Sequence, residues 1–151
     1  MDIENRIKAL GIELQPCPKP AAIYIPYVVS DNYIFISGQT PKNGKELVFA
    51  GKVGRDISIE EGYKAAELCG IRLLSVIKEA AGSLSNVKKI VSMTGYVNAN
   101  EEFEQHSQVI NGASELIEKI FGDKGKHSRA AIGVSSLPGN ASVEISLIVE
   151  I

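Results

Sequence analysis

The sequence predicts an α+β fold in which a mixed β-sheet carries two long helices on one face. Two observations lead there. Two segments repeat apolar residues at three- and four-residue spacing along a single stripe each, as one-sided helices do. The other regular segments are short apolar or alternating runs bounded by turn residues, giving the order β-β-β, α, β, α, β-β. Two one-sided helices must bury their stripes on a common sheet face, and 151 residues can enclose one sizeable core.

The elements follow in chain order. Residues 2–10 read as a short helix capped by Asp2, with Ile3, Ile7 and Leu10 on one side. Pro16, Pro18 and Pro20 enforce an extended connector, which divides the chain into an N-terminal segment, 1–19, and a main body, 20–151. "AIYIPYVV" at 22–29 is β-rich but interrupted by Pro26, as at an edge strand or bulge. After the Asp31-Asn32 turn, "YIFISGQ" is a second strand and "ELVFAGKVG" a weaker third.

Ser58 and Glu61 form an S-x-x-E capping box that opens the first long helix, and Gly82 closes it. Between them Ile59, Tyr63, Ala66, Gly70, Leu73, Ile77 and Ala80 make one stripe. "VKKIVSMTGYV" is the next strand. The second long helix is expected from a cap at Asn100 to Gly122, with Phe103, His106, Ile110, Ala113, Ile117 and Ile120 inward and His106 as a core histidine. The chain ends in two strands around Leu137-Pro138-Gly139-Asn140, read as a hairpin.

Composition narrows the partners. The formal charge is −2 with no run of Lys and Arg, so long-range electrostatics do not favour nucleic acid. Two cysteines are too few for a disulfide framework or zinc site; Cys69 reads as a buried small hydrophobe and Cys17 as exposed. His106 and His127 have no companions at ligand spacing, so no metal is expected. The N-terminus has no apolar leader and no stretch is long enough to span a membrane, which predicts a cytoplasmic protein.

The terminal hairpin raises a chemical question. Centring it on Pro138-Gly139 pairs Ala130, Ile132 and Val134 with Leu147, Ile145 and Val143 as the core face. Arg129, Ala131, Gly133 and Ser135 then share the opposite face with Glu144, Ser146 and Ile148. Residues so small leave room for a packed neighbour, a ligand or both, and the pattern suggests a symmetric oligomer with sheets facing inward. An internal Arg129–Glu144 ion pair is the competing reading.

The stretches "PYVVSDNYIFISGQTP", "EEGYKAAELCGIRLLSVIKEAAGSLSNVKKIVSMTGYV" and "SRAAIGVSSLPGNASVEISLIVEI" resemble the RidA (YjgF-type) family of reactive-intermediate deaminases over about residues 20–151. The most specific parts are Ser37-Gly38-Gln39, Glu79-Ala80-Ala81-Gly82, and Arg129 followed by Leu137-Pro138 and Val143-Glu144-Ile145. The resemblance implies a chorismate-mutase-like fold, a homotrimer with sheets facing inward, and active sites between subunits. It implies hydrolysis of 2-imino and enamine acids such as 2-aminoacrylate to 2-keto acids and ammonia, without metal or organic cofactor.

Residue by residue, the resemblance puts Arg129 on the carboxylate-binding arginine and Glu144 on the acid beside the attacking water. Tyr27 matches the pocket tyrosine, Gly38 the glycine that admits the ligand to backbone, and Asn111 a substrate-side polar residue. Ala131 stands where archetypal members carry Cys, and Ile25 where a glycine is common. With the N-terminal extension, these departures suggest the longer, roughly 150-residue branch of the family. Two functions follow: an imine deaminase using Arg129 and Glu144, or a non-catalytic module binding a keto acid or related carboxylate in the Arg129 cleft. An older ribonuclease label attached to the family fits poorly with the acidic composition.

Overall fold

The computed structural model describes residues 2–20 and 22–151. A short helix α1 (Ile3–Ala9) leads into β1 (Tyr27–Ser30) and β2 (Tyr33–Gln39), then a two-residue hairpin, β3 (Lys42–Asn43) and β4 (Glu46–Leu47). The long helix α2 (Ile59–Ala81), β5 (Lys89–Asn98), α3 (His106–Phe121), β6 (Ser128–Val134) and β7 (Val143–Glu150) complete the chain. A five-stranded sheet runs in the order β1-β2-β7-β5-β6, with β5 and β6 parallel and its other pairs antiparallel.

Local chemistry sets the best-defined helix. At the start of α2 the Glu61 N–H donates to Ser58 Oγ and the Ser58 N–H to Glu61 Oε1, both at 3.1 Å. Gly82, at φ 80°, ends it. The buried residues of α2 and α3, among them Leu73, Ile77, Ile110 and Ile117, meet Ile34, Met93, Ile145 and Val149 from the sheet in one core. The two helices touch closely: a Cβ on Gly112 of α3 would lie 2.0 Å from the Tyr63 carbonyl oxygen of α2. α1 joins the same core through buried Ile7, and Arg6 Nη1 donates to the Ile120 carbonyl at 2.9 Å. Cys17, expected to be exposed, is half-buried against this core, and Cys69 is fully buried.

Three local expectations change. α3 begins at His106, not after Asn100; the intervening residues form a turn in which the Phe103 N–H donates to the Asn100 carbonyl at 3.1 Å. "ELVFAGKVG" contributes only Glu46–Leu47 to a strand, because the following glycines lead into a loop tied by the Asp56 carboxylate to the Lys52 N–H at 2.8 Å. The strand expected at 22–29 is confined to Tyr27–Ser30, beyond Pro26.

The terminal hairpin does not form. β6 pairs with β5 alone and lies at the sheet edge, while β7 inserts between β2 and β5. The physical reason is the crossover: α3 carries the chain back over the sheet, so β6 enters parallel to β5. The eight residues before β7, with a 3₁₀ turn at Pro138–Asn140, then take the chain across to the other side of β5.

That placement inverts the faces of β6. Arg129, Ala131 and Gly133 point to the helix side, and Ala130, Ile132 and Val134 to the uncovered side, where Ile132 is 45% exposed. For β7 the expected faces hold: Val143, Ile145, Leu147 and Val149 are buried, and Glu144, Ser146 and Ile148 are on the uncovered face. That face also carries Val28, Tyr33 and Phe35, each about half exposed.

Candidate functional site

The six residues singled out above fall into separate groups. Arg129 pairs in register with Met93 and Glu144 with Tyr96. Met93 and Tyr96 are three apart on β5, so they point to opposite faces, and Arg129 and Glu144 do too. No Arg129–Glu144 ion pair exists in this chain.

The first group lies along the edge strand β6 beneath α3. Arg129 Nη1 donates to Asn111 Oδ1 at 2.8 Å and to Ser114 Oγ at 3.1 Å. Ser114 also lies 2.9 Å from His127 Nε2, and His127 Nδ1 is 2.6 Å from the Gly125 carbonyl. A carbonyl only accepts, so Nδ1 carries a hydrogen, and in the tautomer with Nε2 bare that nitrogen accepts from the Ser114 hydroxyl, whose other neighbour is Met93 Sδ at 3.5 Å. Ser114 then turns its lone pairs to Arg129, and a continuous chain runs from Gly125 to the guanidinium. Nε and Nη2 of Arg129 have no acceptor among the described residues. That edge of the fork has the geometry for a bidentate carboxylate.

Small residues continue this edge away from Arg129. Ala131 is opposite Gly95 on β5, and Gly133 opposite Val97. His106, expected in the core, is instead half-exposed at the start of α3 and stacks edge-on against Phe103, with ring centroids 5.1 Å apart. Its imidazole lies over Gly133: a Cβ there would sit 2.5 Å from His106 Nε2. His106, Phe103 and Gly133, with Ser135 and Asn100, line a cleft of about 320 Å³ at the C-terminal end of β6.

The second group is on the uncovered face. The register slips between Ile36 and Gln39 where β2 meets β7, and Gly38 lies in that irregular stretch. A Cβ on Gly38 would sit 2.9 Å from both Cδ and Oε2 of Glu144, so only glycine leaves the carboxyl where it is. Glu144 is half-buried and makes no hydrogen bond or ion pair among the described residues; burial raises its carboxyl above the ordinary value. A carboxyl placed in this way can give or take a proton from a molecule that reaches it.

Tyr27 belongs to neither group. It is opposite Ile36 at the far edge of the sheet from β6 and packs partly against the core, on the helix side. The sequence reading passed over Ser114 and weighed His127 only as a metal ligand; the Ser114 position, three residues after Asn111 on one helix face, was the available signal. Among the described residues no three His, Cys, Asp or Glu side chains converge as a metal site, and no helix is long and apolar enough to cross a membrane.

Comparison with known proteins gives the evolutionary setting. Residues 4–151 match the family described as "YjgF/chorismate_mutase-like, putative endoribonuclease". Protein TCP17 of Trypanosoma cruzi is 38% identical over 150 residues, covering 99% of this chain and 94% of that protein. The crystal structure of Atu1372 from Agrobacterium tumefaciens, a protein of unknown function, superposes with a TM-score of 0.91 at 43% identity over 99% of this chain and 93% of that one. A structure from Shewanella oneidensis, described as a putative endoribonuclease, gives a TM-score of 0.96 at 31% identity with both chains fully covered. A helix-backed mixed sheet, a match over nearly the whole chain and relatives above 30% identity agree: the chain belongs to the YjgF/RidA family, with its chorismate-mutase-like fold.

Proposed function

We propose that the protein hydrolyses 2-imino and enamine acids of the 2-aminoacrylate type, in sites completed between copies of a homotrimer. The observation that carries the reading is Arg129, whose Nη1 is fixed by Asn111 and Ser114 while its Nε–Nη2 edge has no protein acceptor. A guanidinium held in that way is preorganised for the carboxylate common to these substrates.

The chemistry is a water-for-nitrogen exchange. Protonation of the enamine carbon gives the 2-iminium acid, water adds to C2, and the resulting carbinolamine loses ammonia as the carbon–oxygen double bond forms. Glu144 serves by taking the water's proton and returning it to the departing nitrogen. Burial suits it to this work, since a carboxyl with a raised pKa holds its proton more readily. Because Arg129 and Glu144 are on opposite faces of one sheet, the reading requires Glu144 of a second copy to come beside Arg129. The exposed Val28, Tyr33, Phe35 and Ile132 on the uncovered face support a buried contact between copies. No metal or organic cofactor enters this scheme.

A second reading has its own observation. The carboxylate cradle of Arg129, Asn111 and Ser114 is complete within one chain and does not need Glu144. A protein that only binds a keto acid or related carboxylate would use that cradle alone. The two readings separate in an assay where a pyridoxal-phosphate enzyme generates 2-aminoacrylate and keto-acid release is followed. Acceleration by wild type that is lost in both Arg129→Ala and Glu144→Gln supports the deaminase. Absence of acceleration, with keto-acid binding lost in Arg129→Ala and kept in Glu144→Gln, supports the binding module.

A further inference from the structure

Arg72 of α2 is a half-buried cation without an anionic partner. Its Nε reaches Gln39 Oε1 at 3.4 Å, and its Nη1 reaches the carbonyls of Lys42 and Gly44, each at 3.3 Å. All three acceptors are uncharged, and Nη2 has none among the described residues. The groups that favour its charge are the thiols of Cys69 and Cys17. Those thiols are themselves protonated: burial, and for Cys17 also Glu79, pushes them far above the ordinary range. Burial accordingly lowers the Arg72 pKa. A charge removed from water without a counter-charge is costly, and proteins ordinarily pair it.

The surroundings add positive charge instead of cancelling it. Arg72 lines a cavity of about 620 Å³ between α2, the β3–β4 hairpin and the N-terminal connector, and Lys19, Lys42 and Lys45 line it as well. No Asp or Glu lines that cavity. Glu13 and Glu67 line only the adjoining space of about 460 Å³ that Arg72 and Lys42 also border. The connector's Pro16, Pro18 and Pro20 form the remaining wall and offer apolar ring surface with no N–H donor. Gln39, which accepts from Arg72, is on the helix side of β2, and a smaller space of about 70 Å³ bordered by Arg72, Lys19 and Lys42 reaches on to Gly38 beside Glu144.

We infer that the Arg72 groove is a second binding site, for a small polyanion whose charge is held by Arg72 and Lys42 and by Lys19 and Lys45 at its rim, and whose body packs on the prolines. Four cations around one cavity exceed what a monocarboxylate balances, and they suit two or more negative charges, as in a phosphate ester or a polycarboxylate. The groove shares no lining residue with the Arg129 group, and the assignment holds whatever the reaction there proves to be.

Calorimetric titration of the full chain with inorganic pyrophosphate and, separately, with citrate tests it. Wild type is expected to bind at least one of them with a Kd below about 1 mM; pyrophosphate alone marks phosphate chemistry, and citrate alone marks carboxylates. Arg72→Gln should weaken binding at least about tenfold, as loss of a charged hydrogen-bond donor does. That variant also gives up contacts to the β3–β4 hairpin, so Lys19→Gln with Lys45→Gln is the companion. Both lysines are exposed and make no ion pair, so the pair should leave the melting temperature unchanged while weakening binding roughly tenfold. Arg129→Ala should bind as wild type does. Failure of wild type to bind either anion, undiminished binding by the double lysine variant, or loss of binding in Arg129→Ala overturns the assignment.

Discussion

Arg129 and Glu144 project from opposite faces of the same sheet, on strands β6 and β7 that flank β5. A single chain therefore cannot bring both to one substrate. If catalysis uses both, each site takes its arginine from one copy and its carboxylate from another, and inactive variants can repair each other. Arg129→Ala and Glu144→Gln, each expected to lose about 100-fold or more in kcat/KM alone, should regain activity when unfolded together and refolded as a mixture. Random assembly of equal amounts leaves about one site in four with both native residues. Recovery toward a quarter of wild-type activity is the expected result. No recovery, from mixtures shown to contain both chains, would place both residues in one copy's site or remove one from the chemistry.

Gly38 should separate folding from function. An added methyl there meets only the carboxyl end of Glu144, 2.9 Å away, which a side-chain rotation can relieve. Gly38→Ala should consequently fold with a melting temperature within a few degrees of wild type and lose turnover about tenfold or more. Unimpaired turnover in a well-folded variant would mean that the position of Glu144 is unimportant.

Gly112 is the opposite case. Its added methyl would meet a backbone carbonyl, that of Tyr63, at 2.0 Å. No rotamer change relieves that, so α2 and α3 must move apart and disturb the packing of both. Gly112→Ala should cost about 3 kcal/mol, or roughly 10 °C in Tm, in thermal unfolding. A shift under about 2 °C would show that the helices separate without penalty.

These contrasts mark what the sequence could and could not reveal. α2 was readable because its cap, its stop and its stripe are all local, and Ser58, Glu61 and Gly82 do what their spacing suggests. The pairing of β6 was not. Its alternation is genuine, but period two says only that residues share a face, not which face is buried. Ile132 looks like core and is 45% exposed, while Arg129 looks like surface and lies under α3. What decides it is distant in sequence: Asn111 and Ser114 receive the guanidinium, and His106 occupies the space over Gly133. The resemblance to known proteins identified Arg129, Asn111 and Glu144 as one set, yet the division of that set between two sheet faces is a property of topology alone.

The Glu144 carboxyl offers a pH test. Burial raises its pKa in the folded protein, so the fold holds a proton that the unfolded chain has already released. Stability then falls as pH rises from the unfolded value through the raised folded value, and the deficit is constant above it. Glu144→Gln mimics the protonated form throughout. It should melt higher than wild type at neutral pH if the carboxyl stays unpaired, with the difference vanishing as pH falls below the ordinary carboxylate range, and lower than wild type if Arg129 of a second copy comes beside it. Melting curves across that range would reveal a pH-independent difference, or the reverse sign, if another charge stabilises the ionised form.

The hydrogen-bond chain behind Arg129 makes the last prediction. Ser114 accepts a hydrogen bond from Arg129 and its hydroxyl is within hydrogen-bond distance of His127, so His127 acts on the guanidinium only through Ser114. Loss of Ser114 leaves Nη1 with Asn111 alone and loosens the fork by about one hydrogen bond, roughly 1 kcal/mol, while loss of His127 leaves Ser114 in place but frees its hydroxyl to turn, a loosening of at most that size. Because the carboxylate is held alike in substrate and transition state, the loss should raise KM about fivefold and change kcat little. Ser114→Ala combined with His127→Phe should be no worse than Ser114→Ala alone, since both cut one chain. His127→Gln, whose amide oxygen can still accept the Ser114 proton, should restore much of the affinity. Additive effects of the two substitutions, or a fall in kcat in place of a rise in KM, would assign His127 a separate role.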